Sequence, residues 1–196
     1  MNKNLQLLNK VQHTVTKSPP ERSREEKSSG KGKPKESARP GPRVRVPHQE
    51  LFRKSSLLLI AHLGRNYSQK FHVRELARSL DYDVSMVSKN LRQLEEAGLV
   101  THEDVGNLVL YQANMKSVLL RQMKICLTLL DLADLIRDLD PLTTNFILYG
   151  SCAKGEDTSE SDIDLYIETL DKVAVRAILT GHQGSITRDL SPLVNT

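Results

Sequence analysis

One stretch of the chain, GSCAKGEDTSESDIDLYI (residues 150–167), combines residue types that could do chemistry. Asp162 and Asp164 lie two residues apart in an apolar run typical of a strand, so both side chains point to one face of a sheet. Two carboxylates on one face repel each other, and a bound cation relieves that repulsion. Oxygen ligands suit Mg²⁺ or Mn²⁺, and Mg²⁺ usually completes its shell with substrate phosphates. The spacing therefore favours a metal site; an acidic turn beside an edge strand is the alternative.

Donors for a phosphate precede the two aspartates. NFILYGS predicts a buried strand that ends at Gly150 and Ser151, and the next residues predict the first turn of a helix. Glycine lets a phosphate approach the backbone closely, and the Ser151 hydroxyl and amide would be donors at a helix N-terminus. The motif could thus hold a metal–triphosphate between two neighbouring strands. Its order is a strand, the Gly-Ser pair, a helix, a loop and the Asp-x-Asp strand.

These residues resemble the signature of the DNA polymerase β-like nucleotidyltransferase superfamily. That signature is an apolar residue, Gly, then Gly or Ser, a spacer, and Asp, apolar, Asp or Glu, apolar; here the spacer is residues 152–161. The wording GSxAxGxxxxxSDIDL is most similar to the minimal nucleotidyltransferases of prokaryotes, several of which belong to toxin–antitoxin systems or carry a winged-helix domain. The resemblance implies an enzyme that uses Mg²⁺ or Mn²⁺ to transfer a nucleoside monophosphate from an NTP, ATP being the expected one, to a hydroxyl.

The resemblance also assigns roles to residues of this chain. Gly150 and Ser151 would bind the triphosphate of the NTP, and Asp162 and Asp164 would hold two metal ions. Lys154 lies where a basic residue often follows Gly-Ser-x-Ala, and there it would neutralise phosphate charge; an exposed helix lysine is the alternative.

The third carboxylate of the family usually lies on a later, adjacent strand. In GSITRDLSPLV, which predicts that strand, Asp189 is the single acid. Ile186, Arg188 and Leu190 would share one face, so Asp189 would lie on the other face with Thr187. If that is the metal face, Asp189 completes the catalytic set; otherwise the domain binds nucleotide and transfers nothing. The chain stops soon afterwards, so we expect this domain to be short at its C-terminus compared with relatives.

The elements around this stretch predict an α+β protein in four segments. They are a disordered basic tail (1–47), a winged helix-turn-helix domain (48–115), a connecting helix (116–140) and a small mixed-sheet nucleotidyltransferase-like domain (141–196). Residues 1–46 hold 12 of the 28 Lys and Arg but 4 of the 24 Asp and Glu, with few large apolar residues. Such a tail cannot offset its ordering entropy by burial. It could contact nucleic-acid phosphates or act as a solubilising linker.

The winged-helix prediction depends on the order of elements. LFRKSSLLLIAHLGRN and FHVRELARSL predict helices, the second entered through a short strand; DYDVS predicts a turn in which Asp83 or Ser85 caps a third helix that ends at Gly98. LVTHEDVGNLVLYQA predicts two strands joined at Val-Gly-Asn. LRQLEEAGLV resembles the recognition helix and wing entry of prokaryotic winged-helix regulators. The outward candidates for DNA contact are Ser85, Ser88, Lys89, Asn90, Arg92 and Gln93. Because residues 48–115 hold 8 basic and 8 acidic side chains, protein docking or dimerisation is the alternative role.

Two further sets of residues carry expectations about packing. Leu119, Met123, Cys126, Leu130 and Ala133 recur at helical spacing in the connecting helix, and Leu120, Leu127 and Ile136 widen the same apolar face. They predict a face that packs into the core, against the last domain or against a second subunit. Asp157 and Glu160, in the loop before the Asp-x-Asp strand, are expected to be solvated charges.

Several classes of protein are disfavoured. The sequence contains no run of eighteen apolar residues, the length needed to span a membrane, and its N-terminus lacks an apolar signal core. Cys126 and Cys152 fit no metal spacing, and the chain has no P-loop. We expect a cytoplasmic protein without a membrane partner.

Two hypotheses of function follow. The first is a nucleotidyltransferase whose acceptor is RNA, a protein or a small molecule, with the winged helix recruiting nucleic acid or providing autoregulation. The second is a winged-helix transcriptional regulator whose nucleotidyltransferase domain is degenerate or senses nucleotide. A second copy of the chain or an antitoxin-like protein is the expected protein partner.

Overall fold

The computed structural model describes residues 48–196, so the predicted disordered tail lies outside the described residues. This part of the protein is a mixed α+β structure with two three-stranded sheets. Its helices are α1 (His48–Leu51), α2 (Lys54–Arg65), α3 (Val73–Leu80), α4 (Val84–Glu96), α5 (Val118–Asp131), α6 (Ala133–Leu139), α7 (Gly150–Lys154) and α8 (Lys172–His182). Its strands are β1 (Phe71–His72), β2 (Val100–Val105), β3 (Leu108–Ala113), β4 (Thr143–Leu148), β5 (Ile163–Thr169) and β6 (Leu190–Asn195). None of the helices within 48–196 is both long enough and apolar enough to cross a bilayer.

The first sheet has the order β1-β3-β2 and is antiparallel throughout. α4 begins where the Asp83 carboxylate accepts the Ser85 N–H at 2.7 Å. It ends just before Gly98, whose φ of +72° lies in the left-handed region that glycine adopts most readily. The hairpin of β2 and β3 follows. Helices and strands therefore come in the order that the residue patterns predict for residues 48–115.

The first hydrophobic core fills the space between this sheet and the helices α2, α3 and α4. Leu59 and Leu63 of α2, Leu76 of α3, and Leu91 and Leu94 of α4 are at most 1% exposed. Their spacing of three and four residues places them on the inner face of each helix. These helices are therefore held by burial of one apolar face each.

The predicted connecting helix is interrupted at Leu132, which separates α5 from α6. Leu132 has φ −93° and ψ 0°, away from ideal helical values. Leu120 and Met123 of α5 belong to the first core, whereas Leu132 and Leu135 belong to a second core around β5. Because of the bend, the buried apolar residues before Leu132 face the first core and those after it face the second core.

The apolar face predicted to be buried on this helix is confirmed in part, since Leu120 is buried and Leu127 and Ile136 pack against the two cores, but its central stripe is mostly exposed. Met123 is buried, but Leu119 and Leu130 are 47% and 61% exposed, and Cys126 and Ala133 are exposed as well. The buried residues of α5 are Leu120, Met123, Lys124 and Thr128. Apolar spacing alone does not locate the centre of the buried face, because that face includes two polar residues whose partners lie in distant parts of the chain.

The second sheet has the order β4-β5-β6 and is mixed. β4 pairs with β5 antiparallel, and β5 pairs with β6 parallel, the connection between them containing α8. Along β5, Ile163, Leu165 and Ile167 are fully buried and pack with Leu135 of α6 and Val175 of α8 in the second core. The side chains that alternate with them on β5 therefore point to the opposite, more open face of the sheet.

α5 contacts both parts of the structure. Its Leu120 and Met123 lie in the first core. On the other side, Gly155, at the end of α7, packs so closely that a Cβ built there would lie 2.3 Å from the Arg121 carbonyl oxygen of α5. The Gly155 φ of +66° also lies in the left-handed region. A glycine is therefore required where α7 meets α5.

Candidate active site

The Gly-Ser turn and the Asp-x-Asp strand lie directly against each other. Leu148 of β4 is opposite Leu165 of β5, and the Tyr149 N–H donates to the Asp164 carbonyl at 3.0 Å. Gly150 follows with φ +68°, and a Cβ built on it would lie 2.1 Å from Asp164 Oδ2. A larger residue here would displace that carboxylate, so the two halves of the sequence motif meet at one point.

Asp164 lies on the open face of β5, and Asp162 directly precedes the strand. Asp162 is exposed and Asp164 is half-buried, while Ile163 between them is fully buried. Tyr166 and Glu168 continue the same face, and the Tyr166 hydroxyl donates to Glu168 Oε1 at 2.8 Å. The alternation of burial therefore agrees with the single-face arrangement that their spacing predicts.

Asp189 reaches the same edge of the sheet through the parallel strand. Ile163 is paired with Leu190, and the Ile163 N–H donates to the Asp189 carbonyl at 2.8 Å. Continuing this register by one residue puts Asp189 beside Asp162, and paired residues of neighbouring strands point to the same face. Asp189 is exposed whereas Arg188 is buried, as expected if Asp189 points to the open face.

The three aspartate side chains are nevertheless not gathered into one ligand set. Across residues 48–196, no three His, Cys, Asp or Glu side chains come close enough together to hold a metal ion. Asp189 Oδ1 instead accepts a hydrogen bond from Gln183 Nε2, at the end of α8, at 3.2 Å. The backbone register thus brings Asp189 to the site, while its side chain has a different partner.

The other two predicted phosphate ligands lie on α7. Ser151 is half-buried and follows Gly150 directly, and Lys154 is exposed in the last turn. The Ser151 carbonyl accepts the Glu156 N–H at 3.0 Å, which closes this helical turn. Both residues therefore share the turn that contacts the Asp164 carboxylate.

A buried charge cluster, formed by Lys124, Asp157 and Arg188, lies behind the Asp-x-Asp strand. The prediction that Asp157 is solvated is wrong, because its side chain is 1% exposed. Arg188 Nη1 donates to Asp157 Oδ2 at 2.8 Å. Lys124 Nζ donates to the Asp157 carbonyl at 2.6 Å and lies 3.4 Å from Oδ1. One buried carboxylate therefore faces two buried cations, and the attraction offsets part of the desolvation cost of all three.

Arg188 also contacts the helices on either side. Its Nη2 donates to Thr128 Oγ1 at 3.0 Å, and its Nη1 donates to Cys152 Sγ at 3.3 Å. Cys152 Sγ in turn donates to the Asp162 carbonyl at 3.3 Å. The charge cluster is thus linked by hydrogen bonds to the backbone of the Asp-x-Asp strand.

Burial shifts the pKa values of two groups in this region. It lowers the pKa of Lys124, and the Asp157 carboxylate acts in the opposite direction. It raises the pKa of the Cys152 thiol, against the opposing effect of the Arg188 charge. Because a free cysteine already has a pKa near 8.5, the Cys152 thiol stays protonated at neutral pH and keeps the S–H that donates to Asp162.

Sequence signals for the cluster exist but are weak. Lys124 lies four residues from both Leu120 and Thr128, so it belongs on their face of α5. The strand predicted over residues 184–194 begins only at Leu190; Arg188 and Asp189 precede it as neighbours, and only one of them, Arg188, is buried. Nothing local marks Asp157, since its partners are 33 and 31 residues away along the chain.

The candidate DNA contacts on α4 fall into two groups. Lys89 and Arg92 are exposed, Ser88 is half-buried, and the Ser85 hydroxyl is hydrogen-bonded to Asp83. The prediction that Asn90 faces outward is wrong, because this residue is 4% exposed. Its Nδ2 donates to Ser55 Oγ at 2.8 Å, so this asparagine joins α4 to α2.

The electrostatic surroundings of α4 are mixed. Glu95 pairs with His102 of β2, and this hydrogen bond raises the pKa of His102. Glu103, on the same strand, pairs with Lys70. Free positive charge on this surface therefore comes mainly from the exposed Lys89 and Arg92 on α4, together with exposed arginines on α3.

Comparison with known proteins supports one part of this picture. Residues 129–191 match the family model described as nucleotidyltransferase domain, a span that includes the Gly-Ser turn and the three aspartates. Residues 52–113 match a second family model, described only as HVO_A0114, whose description states no fold or activity. No curated protein matches the chain. The C-terminal part of this protein is thus similar to nucleotidyltransferase domains.

Proposed function

We propose that this protein is a divalent-metal-dependent nucleotidyltransferase that moves a nucleoside monophosphate from an NTP, ATP being the first candidate, to a hydroxyl acceptor. The observation that carries the proposal is the contact of Gly150 with the Asp164 carboxylate. It joins a Gly-Ser turn suited to phosphate with a carboxylate suited to a metal ion, inside a segment that matches a nucleotidyltransferase domain.

The residues at this edge of the sheet fit a hard divalent cation. Asp162 and Asp164 offer only oxygen ligands, which suit Mg²⁺ and Mn²⁺. The parallel register supports Asp189 as a third carboxylate, provided that its side chain leaves Gln183 when the site is filled. When bound, the cations would lower the pKa of the acceptor hydroxyl and neutralise charge on the leaving pyrophosphate.

The protein groups would divide the remaining work. The Gly150 and Ser151 backbone and the Ser151 hydroxyl would hold the triphosphate, and Lys154 would neutralise part of its charge. Asp162 and Asp164 would orient the α-phosphate for in-line attack through the ions they hold. Asp189 would assist removal of the proton from the acceptor hydroxyl.

The test is label transfer. The full chain is incubated with each α-phosphate-labelled NTP, with Mg²⁺ or Mn²⁺, and with cellular RNA and protein extract as acceptors. The Asp162→Ala/Asp164→Ala variant is the negative form. Asp134→Ala/Asp138→Ala, which removes two exposed carboxylates of α6, is the matched control. Label on RNA or protein with the wild type and the control, but not with the active-site variant, is expected. Equal labelling by all three would contradict the proposal.

A second candidate function is a DNA-binding regulator with a winged-helix N-terminal part and a domain that only senses nucleotide. The Gln183–Asp189 hydrogen bond favours it, because it holds the third carboxylate away from the other two. The exposed Lys89 and Arg92 on α4 would contact DNA phosphates and base edges. Selection of bound fragments from random DNA, followed by comparison of Lys89→Ala/Arg92→Ala with Lys116→Ala/Arg137→Ala, tests this role. Equal binding by both variants would contradict it.

A protein partner is part of the proposal. The exposed apolar side chains of α5, Leu119 and Leu130 among them, support either a homodimer or an antitoxin-like partner. Sedimentation of the wild type and of Leu119→Lys/Leu130→Lys distinguishes the two. A dimer that becomes a monomer in the variant supports self-association, and a wild-type monomer supports a different partner.

A further inference from the structure

Arg188 and Asp189 are neighbours in sequence but lie in opposite environments. The Arg188 side chain is 5% exposed and points into the interior, whereas Asp189 is exposed on the open face. Because the two share one peptide bond, any constraint on the guanidinium limits where the Asp189 backbone can lie. The Asp189 carbonyl is itself hydrogen-bonded to the Ile163 N–H at 2.8 Å.

The guanidinium of Arg188 is held on three sides by three different segments. It donates to Asp157 Oδ2 of the loop before β5 at 2.8 Å, to Thr128 Oγ1 of α5 at 3.0 Å and to Cys152 Sγ of α7 at 3.3 Å. A planar guanidinium with several fixed donors can satisfy such a set at once, which a lysine ammonium cannot do in the same geometry.

These contacts end at both backbone segments that carry the carboxylates. Through Cys152 Sγ, the chain of hydrogen bonds reaches the Asp162 carbonyl at 3.3 Å. Through the covalent chain, it reaches Asp189. A buried ion pair is weak evidence of stabilisation, since well-packed apolar residues often replace one without loss. Contacts that converge on the two segments carrying Asp162 and Asp189 are better explained by orientation of those segments.

We propose that Arg188 is a positioning residue that fixes the Asp189 backbone beside Asp162 from the buried side of the sheet. Asp157 and Lys124 serve it: Asp157 orients the guanidinium, and Lys124 fixes the Asp157 loop to α5 through a 2.6 Å hydrogen bond to the Asp157 carbonyl. The catalytic use of Asp189 depends on the proposed transferase function, but the placement of its backbone by Arg188 does not.

The first arm of the test measures position without reference to activity. Amide hydrogen exchange by NMR is compared for the wild type, Arg188→Lys and Arg137→Lys, the last being an exposed arginine of α6. In Arg188→Lys we expect the Ile163 amide to exchange roughly two- to tenfold faster, the factor for one weakened hydrogen bond. The Tyr149 amide, bonded to the Asp164 carbonyl on the other side of β5, should keep its rate. Unchanged exchange at Ile163, or equal acceleration at both amides, would overturn the proposal.

The second arm measures metal affinity with MnCl₂ titrated into the protein and followed by electron paramagnetic resonance. Loss of an outer partner that orients a ligand typically weakens metal binding about 10- to 100-fold, so we expect at least about tenfold for Arg188→Lys and none for Arg137→Lys. The double variant Arg188→Lys/Asp189→Asn should bind no more weakly than Asp189→Asn alone, because Arg188 acts through Asp189. Additive losses would overturn this.

The two arms separate the two proposals. If Asp162→Ala/Asp164→Ala leaves Mn²⁺ binding unchanged, the proposed function fails at its metal site, and the exchange of the Ile163 amide still decides the role of Arg188. If Mn²⁺ binding needs the aspartates but Ile163 exchange is the same in Arg188→Lys as in the wild type, the positioning role fails and the function stands.

Discussion

The close approach between Gly150 and Asp164 in the candidate site predicts that Gly150→Ala lowers both the stability of the protein and its label transfer. The added Cβ would lie 2.1 Å from Asp164 Oδ2 and 3.0 Å from Cγ, so the carboxylate has to move. The φ of +68° adds about 1–2 kcal/mol for a residue with a Cβ, and overpacking adds about 1–3 kcal/mol. We expect a loss of about 2–5 kcal/mol in the free energy of unfolding, together with loss of label transfer.

Gly98→Ala is the matched control for this substitution. Gly98 has a nearly identical φ of +72°, and a Cβ there would have no neighbour within 4 Å. The free energy of unfolding of Gly98→Ala should fall by the backbone contribution alone, about 1–2 kcal/mol, and its label transfer should be retained. Urea unfolding followed by circular dichroism measures both variants on the same scale.

A double-mutant cycle identifies the source of the difference. With Asp164→Ala, the nearest remaining atom is the residue-164 Cβ at 3.4 Å, an ordinary contact. Gly150→Ala should therefore cost about 1–3 kcal/mol less in the Asp164→Ala background than in the wild type. Losses for Gly150→Ala and Gly98→Ala that agree within about 0.5 kcal/mol would refute the reasoning, because they would leave nothing for the clash to explain.

Three further predictions concern other parts of the molecule. A thiol reagent should label Cys126 in the native protein and Cys152 only after unfolding, because the first is exposed and the second is buried with a raised pKa; two labelled thiols in the native protein would contradict this. The pKa of His102 lies above its ordinary value of 6.5 because of Glu95, so its contribution to stability is fully present below pH 6.5 and is lost as the pH rises through the raised value. An NMR titration should show that Glu95→Gln lowers this pKa, and an unchanged value would remove the pair as its cause. Gly155→Ala should destabilise by about 2 kcal/mol or more, since its Cβ would meet the backbone of α5, and a loss as small as that of Gly106→Ala, where no atom is near, would argue against the contact.

Local chemistry made the elements of residues 48–196 predictable. The cap at Asp83, the left-handed stop at Gly98 and the alternation along β5 each depend on residues close in sequence. The spacing of Asp162 and Asp164 likewise predicts a common face without any tertiary information. The order of elements and the buried face of β5 could therefore be read from residue types and periodicity alone.

Features that depend on distant partners were not predictable in the same way. Asp157 is polar, lies in a polar loop and has no local sign of burial, yet Arg188 and Lys124 bury it. Asn90 of α4 is a similar case, because it is buried where its side chain donates a hydrogen bond to Ser55 of α2. The centre of the buried face of α5 is not predictable from spacing, because Lys124 has the character of a surface residue until its carboxylate partner is known. In each case a buried polar group needs a partner that periodicity does not reveal.

The packing of α5 restricts how this protein could be recombined with others. Gene fusion exchanges segments cleanly when few contacts cross the junction, and a junction just before β4 looks natural from the chain alone. A nucleotidyltransferase-like segment moved without α5 would lose the backbone against which Gly155 packs and the lysine that fixes the Asp157 loop. A transplant that begins at Val118 keeps both, although it exposes Leu120 and Met123 unless the new host covers them. α5 packs against both halves of the structure, so moving it with one half removes packing from the other. A fusion protein that contains only one half should therefore have another surface that replaces the lost contacts.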